Sequence, residues 1–203
     1  MIELTNNRLM PNYVLATNQA YKTLIDNREF SFPICIFQVL KNMEGVKLHT
    51  YSEAAQHFGL SFNEYKSFAS SDYGFSSRYF KLNHFEVFYN DHKDEEVQRF
   101  TLAHELGHII LGHLHDSYAE NREANCFARN YLCPIPAIIE MNLQTIQDYC
   151  NTFYVSECMA DIALNYKKID YQNITPSNYN NFNDGVICEM NGMTLYDLYG
   201  YYG

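Results

Sequence analysis

The chain has 203 residues, 47% of them hydrophobic and 16% aromatic, enough to bury one good-sized core or two small ones. Its 14 Lys and Arg against 24 Asp and Glu give a net charge of −10, which argues against a broad nucleic-acid footprint because counterion release needs clustered cations; a basic protein partner suits this charge better. The longest apolar run, residues 32–40, contains Pro33 and Gln38 and is far too short to span a bilayer, and the first residues lack the pattern of an export signal, so a cytoplasmic protein is expected.

In chain order, apolar positions from Asn12 to Phe30 recur at helical spacing, and Pro33 opens a second helix to Leu40. Residues 46–52 alternate like a short strand, and 52–68 predict a helix opened by Ser52, interrupted near Gly59 and renewed to Phe68. The stretch SSDYGFSS, 70–77, reads as a turn, and 78–90 as one or two strands with Phe85, Val87 and Tyr89 on one face. A helix then runs from about Glu95 to Leu111, capped by Asp91 or Asp94 and ended by Gly112, with Val97, Phe100, Ala103, Leu106 and Ile110 as its core face. Another covers Tyr118 to Leu132 and is stopped by Pro134 and Pro136, and one or two more lie between Ile146 and Lys168. Beyond Asp170 the chain is rich in Asn and Tyr, and its apolar spacing predicts little. The six cysteines, Cys35, Cys126, Cys133, Cys150, Cys158 and Cys188, form no CxxC pair and read mostly as buried small hydrophobes.

The chemistry is concentrated in RFTLAHELGHIILGHLH, residues 99–115. His104 and His108 stand four apart on a predicted helix and so project from one face, where two imidazoles can reach one metal ion. Glu105 is offset between them, placed to take a proton from water beside the metal rather than to ligate it. A chain of this composition contains HExxH by chance in about 2% of cases, and an unpaired buried trio of this kind is costly, so zinc is the favoured reading.

A catalytic zinc commonly takes three protein ligands. The extended HExxHxxGxxH pattern needs Gly and His where this chain has Leu111 and Leu114, and His113 and His115 miss that register, which makes them surface or supporting residues. Glu120 and Glu123 on the next helix lie three apart, and either can point back toward the first.

At these residues the chain resembles the ImmA/IrrE family of zinc metallopeptidases, in which an HExxH helix is followed by one bearing Glu-Ala-Asn/Asp-x-Phe-Ala and then a Pro. The correspondence falls on His104, Glu105 and His108, then on Glu123, Ala124, Asn125, Phe127, Ala128 and Pro134. The resemblance implies that His104, His108 and Glu123 hold one zinc ion, with Glu120 as fallback, and that Glu105 is the general base. It implies a mainly helical α+β, zincin-like core over residues 15–165, with 1–14 as an extension and 166–203 as a segment of unassigned role. It further implies regulated endoproteolysis of a specific protein, a helix-turn-helix transcriptional repressor of a mobile element, prophage or stress response. The stretch ahead of residue 15 is too short for the DNA-binding domain that many members carry, so neither direct nucleic-acid binding nor a membrane role is expected. The competing reading is a non-catalytic antirepressor or toxin-antitoxin partner on the same fold; an intact HELGH favours chemistry, since a pure binder has no use for Glu105. The strand at 84–90 is a candidate edge for an extended substrate.

Overall fold

A computed structural model describes residues 10–79, 84–115 and 117–200. Eleven helices and a three-stranded sheet are found among them, a mainly helical α+β fold as the sequence predicts.

Helix α1 (Tyr13–Asp26) starts at Asn12, whose Oδ1 accepts from the Leu15 amide. Helix α2 (Ile36–Asn42) leads into β1 (Val46–Thr50). Helices α3 (Tyr51–Phe58) and α4 (Phe62–Phe68) each begin with a capping box, Thr50 with Glu53 and Ser61 with Glu64, so Thr50 rather than Ser52 opens the first.

The segment 70–77, expected to be a turn, carries most of strand β2 (Gly74–Tyr79). Its Ser and Gly content resembles turn chemistry, but pairing with β3 (His84–Tyr89) overrides that local preference. The predicted strand at 78–90 thus divides between β2 and β3, and residues 80–83 of it lie outside the described residues. Strand β3 runs parallel to β1 in the register Val46↔Phe85 to Thr50↔Tyr89 and antiparallel to β2 in the register Gly74↔Tyr89 to Tyr79↔His84. The order is therefore β1-β3-β2, and β3 is the central strand. Our expectation of 84–90 as the substrate edge is corrected: both sides of β3 are paired, and the outer strands are β1 and β2.

One face of the sheet, with Val87 fully buried, packs on the main core; the other presents Phe75 and Phe88 to a smaller cluster around Tyr51 and Tyr65. Helix α5 (Glu95–Leu111) crosses the first face and ends at Gly112, whose φ of 69° closes the helix in a left-handed cap. The true core face of α5 is rotated from the predicted one: Leu102, Ala103 and Leu106 are fully buried, whereas Val97, Phe100 and Ile110 are only partly so. Near its start, the buried Arg99 spends its guanidinium on main-chain carbonyls, with Nη1 donating to Ile34, Nη2 to Phe153 and Nε to Tyr154, at 2.9, 3.1 and 3.0 Å.

Helix α6 (Tyr118–Leu132) packs along α5 and α1, burying Ala124, Phe127, Ala128 and Tyr131. Helices α7 (Ile135–Glu140), α8 (Ile146–Phe153) and α9 (Glu157–Asn173) follow; α9 is tied to α6 by a buried bidentate pair, Arg129 Nε to Asp170 Oδ2 at 2.6 Å and Nη2 to Oδ1 at 2.8 Å. The Asn-rich tail forms α10 (Pro176–Asn191) and α11 (Leu195–Tyr199). Phe182 of α10 is fully buried between Tyr21 and Phe30, so this segment contributes to the main core. Of the cysteines, all free, Cys126, Cys133 and Cys188 are buried, but Cys35 and Cys158 are exposed. No helix among the described residues is long and apolar enough to cross a membrane.

Candidate metal centre

A cleft of about 640 Å³ opens between α5 and strand β2. Its walls include Ser76 and Arg78 of β2, His104, Glu105 and His108 of α5, and Asn125 of α6. Alternation along β2 sets Gly74, Ser76 and Arg78 on the α5 side. At Gly74 the approach is close: a Cβ there would lie 2.6 Å from Thr101 Cγ2 and 2.7 Å from the Phe88 carbonyl oxygen. That proximity lets Ser76 Oγ reach across and donate to Glu105 Oε2 at 2.7 Å. Glu105, which is buried, is thereby oriented by the outer strand.

His104 and His108 meet as their spacing predicts, with Nε2 atoms 3.0 Å apart. His104 Nδ1 lies 2.9 Å from Asn125 Oδ1, His108 Nδ1 lies 3.0 Å from His113 Nδ1, and His113 Nε2 lies 2.9 Å from Glu123 Oε2. Glu123 Oε1 accepts from the Asn12 amide at 2.6 Å. Burial first, and then the neighbouring His104 and His113, push the His108 imidazole down to about 3, so it is neutral at ordinary pH.

An amide oxygen only accepts, so His104 Nδ1 donates to Asn125 Oδ1. The Glu123 carboxylate also accepts, so His113 Nε2 donates to it, and His113 Nδ1 lies against His108 Nδ1, which ties His108 to Glu123 through His113. The two Nε2 atoms face each other across 3.0 Å, a separation bridged by a hydrogen bond between them or by a metal ion bound to both. The separation is close to the value of about 3.3 Å kept by two nitrogens on one tetrahedral zinc. On donor chemistry the pair fits a metal.

The third predicted donor stands differently. Glu123 is buried and is connected to His108 through His113, and among the described residues no group of three or more His, Cys, Asp or Glu side chains is gathered as a metal ion would require. Glu120 is engaged elsewhere, accepting from the Ser117 and Leu114 amides at 3.1 and 3.3 Å. Although burial opposes it, hydrogen bonds from Ser117 and Leu114 and the nearby His113 hold its carboxyl below the usual range.

His113, expected at the surface or in support of the site, takes the supporting place: the turn at Gly112 folds it back over α5, the His113 amide donating to the His108 carbonyl at 3.0 Å. A left-handed Gly followed at once by His is the signal for it. Ser76 was hidden inside an apparent turn, and Asn12 acts through its main chain, which no side-chain motif reports. His115 is exposed at the cleft rim.

A mainly helical domain whose cleft gathers two imidazoles, a strand-held carboxylate and an outer strand has the construction of a peptidase. The family model of the IrrE N-terminal-like domain, Peptidase_M78, matches residues 55–165, more than half of the chain and all of α5 and α6. The chain belongs to this family of metallopeptidases, and membership implies a metal cofactor. No curated protein and no solved structure gives a significant match.

Proposed function

We propose that the protein is a zinc endopeptidase in which His104, His108 and Glu123 hold one zinc ion and Glu105 is the general base. The observation that carries this reading is the pair of inward-facing Nε2 atoms, 3.0 Å apart, in the same cleft as a buried carboxylate held by Ser76. When bound, zinc supplies a Lewis acid that lowers the pKa of water and polarises a carbonyl. Glu105 takes the proton of the attacking water and passes it to the leaving amine as the peptide bond breaks. Ser76 fixes which oxygen of Glu105 faces the reaction, and Asn125 fixes the tautomer of His104. Strand β2 offers its outer edge to an extended substrate by main-chain pairing.

The substrate proposed is a small helix-turn-helix repressor, whose basic surface suits a net charge of −10. Purified protein should carry close to one zinc per chain; finding none after zinc is supplied would remove the catalytic reading. Glu105→Gln should keep the metal and lose cleavage, because an amide keeps the shape but accepts no proton. Co-expression of wild type and Glu105→Gln with neighbouring repressors tests the target. A specific fragment with wild type alone supports proteolysis, whereas derepression by both forms with the repressor intact would make the protein an antirepressor that acts by binding.

A further inference from the structure

We propose that Arg78 reads the substrate: its guanidinium takes the carboxylate of an Asp or Glu side chain two residues from the scissile bond of an extended peptide. This rests on the reading of the cleft as a peptidase site. Among the described residues that wall the cleft, Arg78 is the only Lys or Arg and Glu105 the only Asp or Glu, and Glu105 already accepts from Ser76. A carboxylate entering the cleft therefore meets one cation, at a defined place.

That place follows from the strand. Ser76 and Arg78 share the α5 side of β2, so they stand about 6.6 to 6.8 Å apart along it. Ser76 marks where reaction occurs, because its hydroxyl holds the Glu105 carboxylate. A peptide paired with the outer edge of β2 alternates in step with the strand. The side chain level with Arg78 is then two residues from the one level with Ser76.

Arg78 is also built to be used there. It pairs across the sheet with Phe85, and its guanidinium carbon lies 5.2 Å from the centre of that ring. The ring attracts the cation through its π-face, a contact that engages no N–H group. A guanidinium carries five N–H donors in a fork that matches the two oxygens of a carboxylate. The half-buried setting strengthens such a pair once a bound peptide displaces water. This local preference does not conflict with a basic partner: net charge acts over the whole encounter, whereas Arg78 reads one side chain of the segment inside the cleft.

The probes are short capped peptides of Ala and Thr that differ at one central position, Glu, Gln or Lys. They are titrated into full-length Glu105→Gln protein at about 0.15 M salt, and binding is read from the chemical shifts of the β2 amides. The net charge of −10 disfavours an acidic peptide elsewhere on the surface, so a preference for Glu over Gln reports a local cation. The Glu peptide should bind at least about fivefold more tightly than the Gln peptide. A further Arg78→Gln substitution should abolish the difference, Arg78→Lys should keep part of it, and Arg78→Glu should favour the Lys peptide. Equal binding of the Glu and Gln peptides, no binding of either, or a preference that survives Arg78→Gln overturns the proposal. A second measurement uses wild type supplied with zinc and a randomised mixture of internally quenched peptides, in which cut products should be enriched in Asp or Glu two residues from the cut. Cleavage without that enrichment overturns the role of Arg78 and leaves the peptidase reading standing. Carboxylate-dependent binding through Arg78 without any cleavage does the reverse.

Discussion

Gly107 sits between the two candidate histidines of α5 at the point where that helix meets α6, and enlarging it tests whether helix spacing governs the site. A Cβ there would lie 3.2 Å from Ala124 Cα, from Phe127 Cβ and from Phe127 Cδ1. Comfortable carbon contacts begin at about 3.5 Å, so the helices must part by a few tenths of an ångström. Two of the three atoms are anchored at or next to the α6 main chain and cannot swing aside. Overpacking of this kind costs about 1–3 kcal/mol, while replacing Gly by Ala inside a helix returns about 1 kcal/mol, so Gly107→Ala should come out between neutral and about 2 kcal/mol destabilised. Gly107→Val forces a β-branched side chain into the same gap and should lose about 3 kcal/mol or more, lowering Tm by roughly 6–12 °C in a chain of this size. Thermal unfolding of the metal-free proteins gives the stability ranking. Zinc competition gives the second readout, because His104 and His108 ride on one helix and Glu123 on the other. If Gly107→Ala gained the full helix-propensity benefit and Gly107→Val lost less than about 1 kcal/mol, close approach would not be the constraint at this position.

Three other outcomes are expected. Asp170→Asn leaves the buried Arg129 without its counter-ion and should cost about 3–5 kcal/mol by urea unfolding, whereas Arg129→Met combined with Asp170→Leu should recover most of that loss; equal losses in both would refute the argument. His108 is held neutral down to about 3, whereas in the unfolded chain it takes up a proton near pH 6.5, so the unfolded state binds more protons between these values. Stability of the metal-free protein should therefore fall as pH drops from about 6.5 toward 3, by up to about 1.4 kcal/mol per pH unit from this group, and His108→Asn should flatten that slope. Association with a basic partner should slow several-fold as ionic strength rises from about 0.01 to 0.15 M, with kcat unchanged; stopped-flow rates independent of salt would remove electrostatic steering.

The helices that carry the site were legible because two signals coincided there. Glu95 to Leu111 and Tyr118 to Leu132 show apolar recurrence and clear stops, Gly112 in one case and Pro134 in the other, and both spans appear as read. The rotation of the α5 core face was less legible, because packing against α6 at Gly107 brings Leu102 inward and leaves Phe100 and Ile110 at the margin. Strand β2 was missed for another reason: Gly74, Ser76 and Ser77 are poor strand formers taken alone, and only pairing with β3 makes a strand of them. The tail beyond Asp170 hides its role because α10 buries few large side chains, and Phe182 and Val186 are too sparse among asparagines to reveal a periodicity. Within the site, the histidine pair followed from spacing, but the His113 relay and the Asn12 amide depend on how a turn and a distant helix fold back.

The clasp at Arg99 bears on how the salt experiment can be interpreted. That side chain moors the beginning of the site helix to the segment ahead of α2 and to the end of α8 by giving its hydrogens to neutral carbonyls, out of reach of dissolved ions. Surface ion pairs such as Lys22 with Asp26 fade as the Debye length shrinks, but a cation solvated by main-chain dipoles in the interior has no distant partner for salt to screen. Ionic strength can thus be varied over a wide range while the bearings of His104, Glu105 and His108 stay put, and a change in rate with salt reports the encounter with the partner rather than a loosening of the machinery.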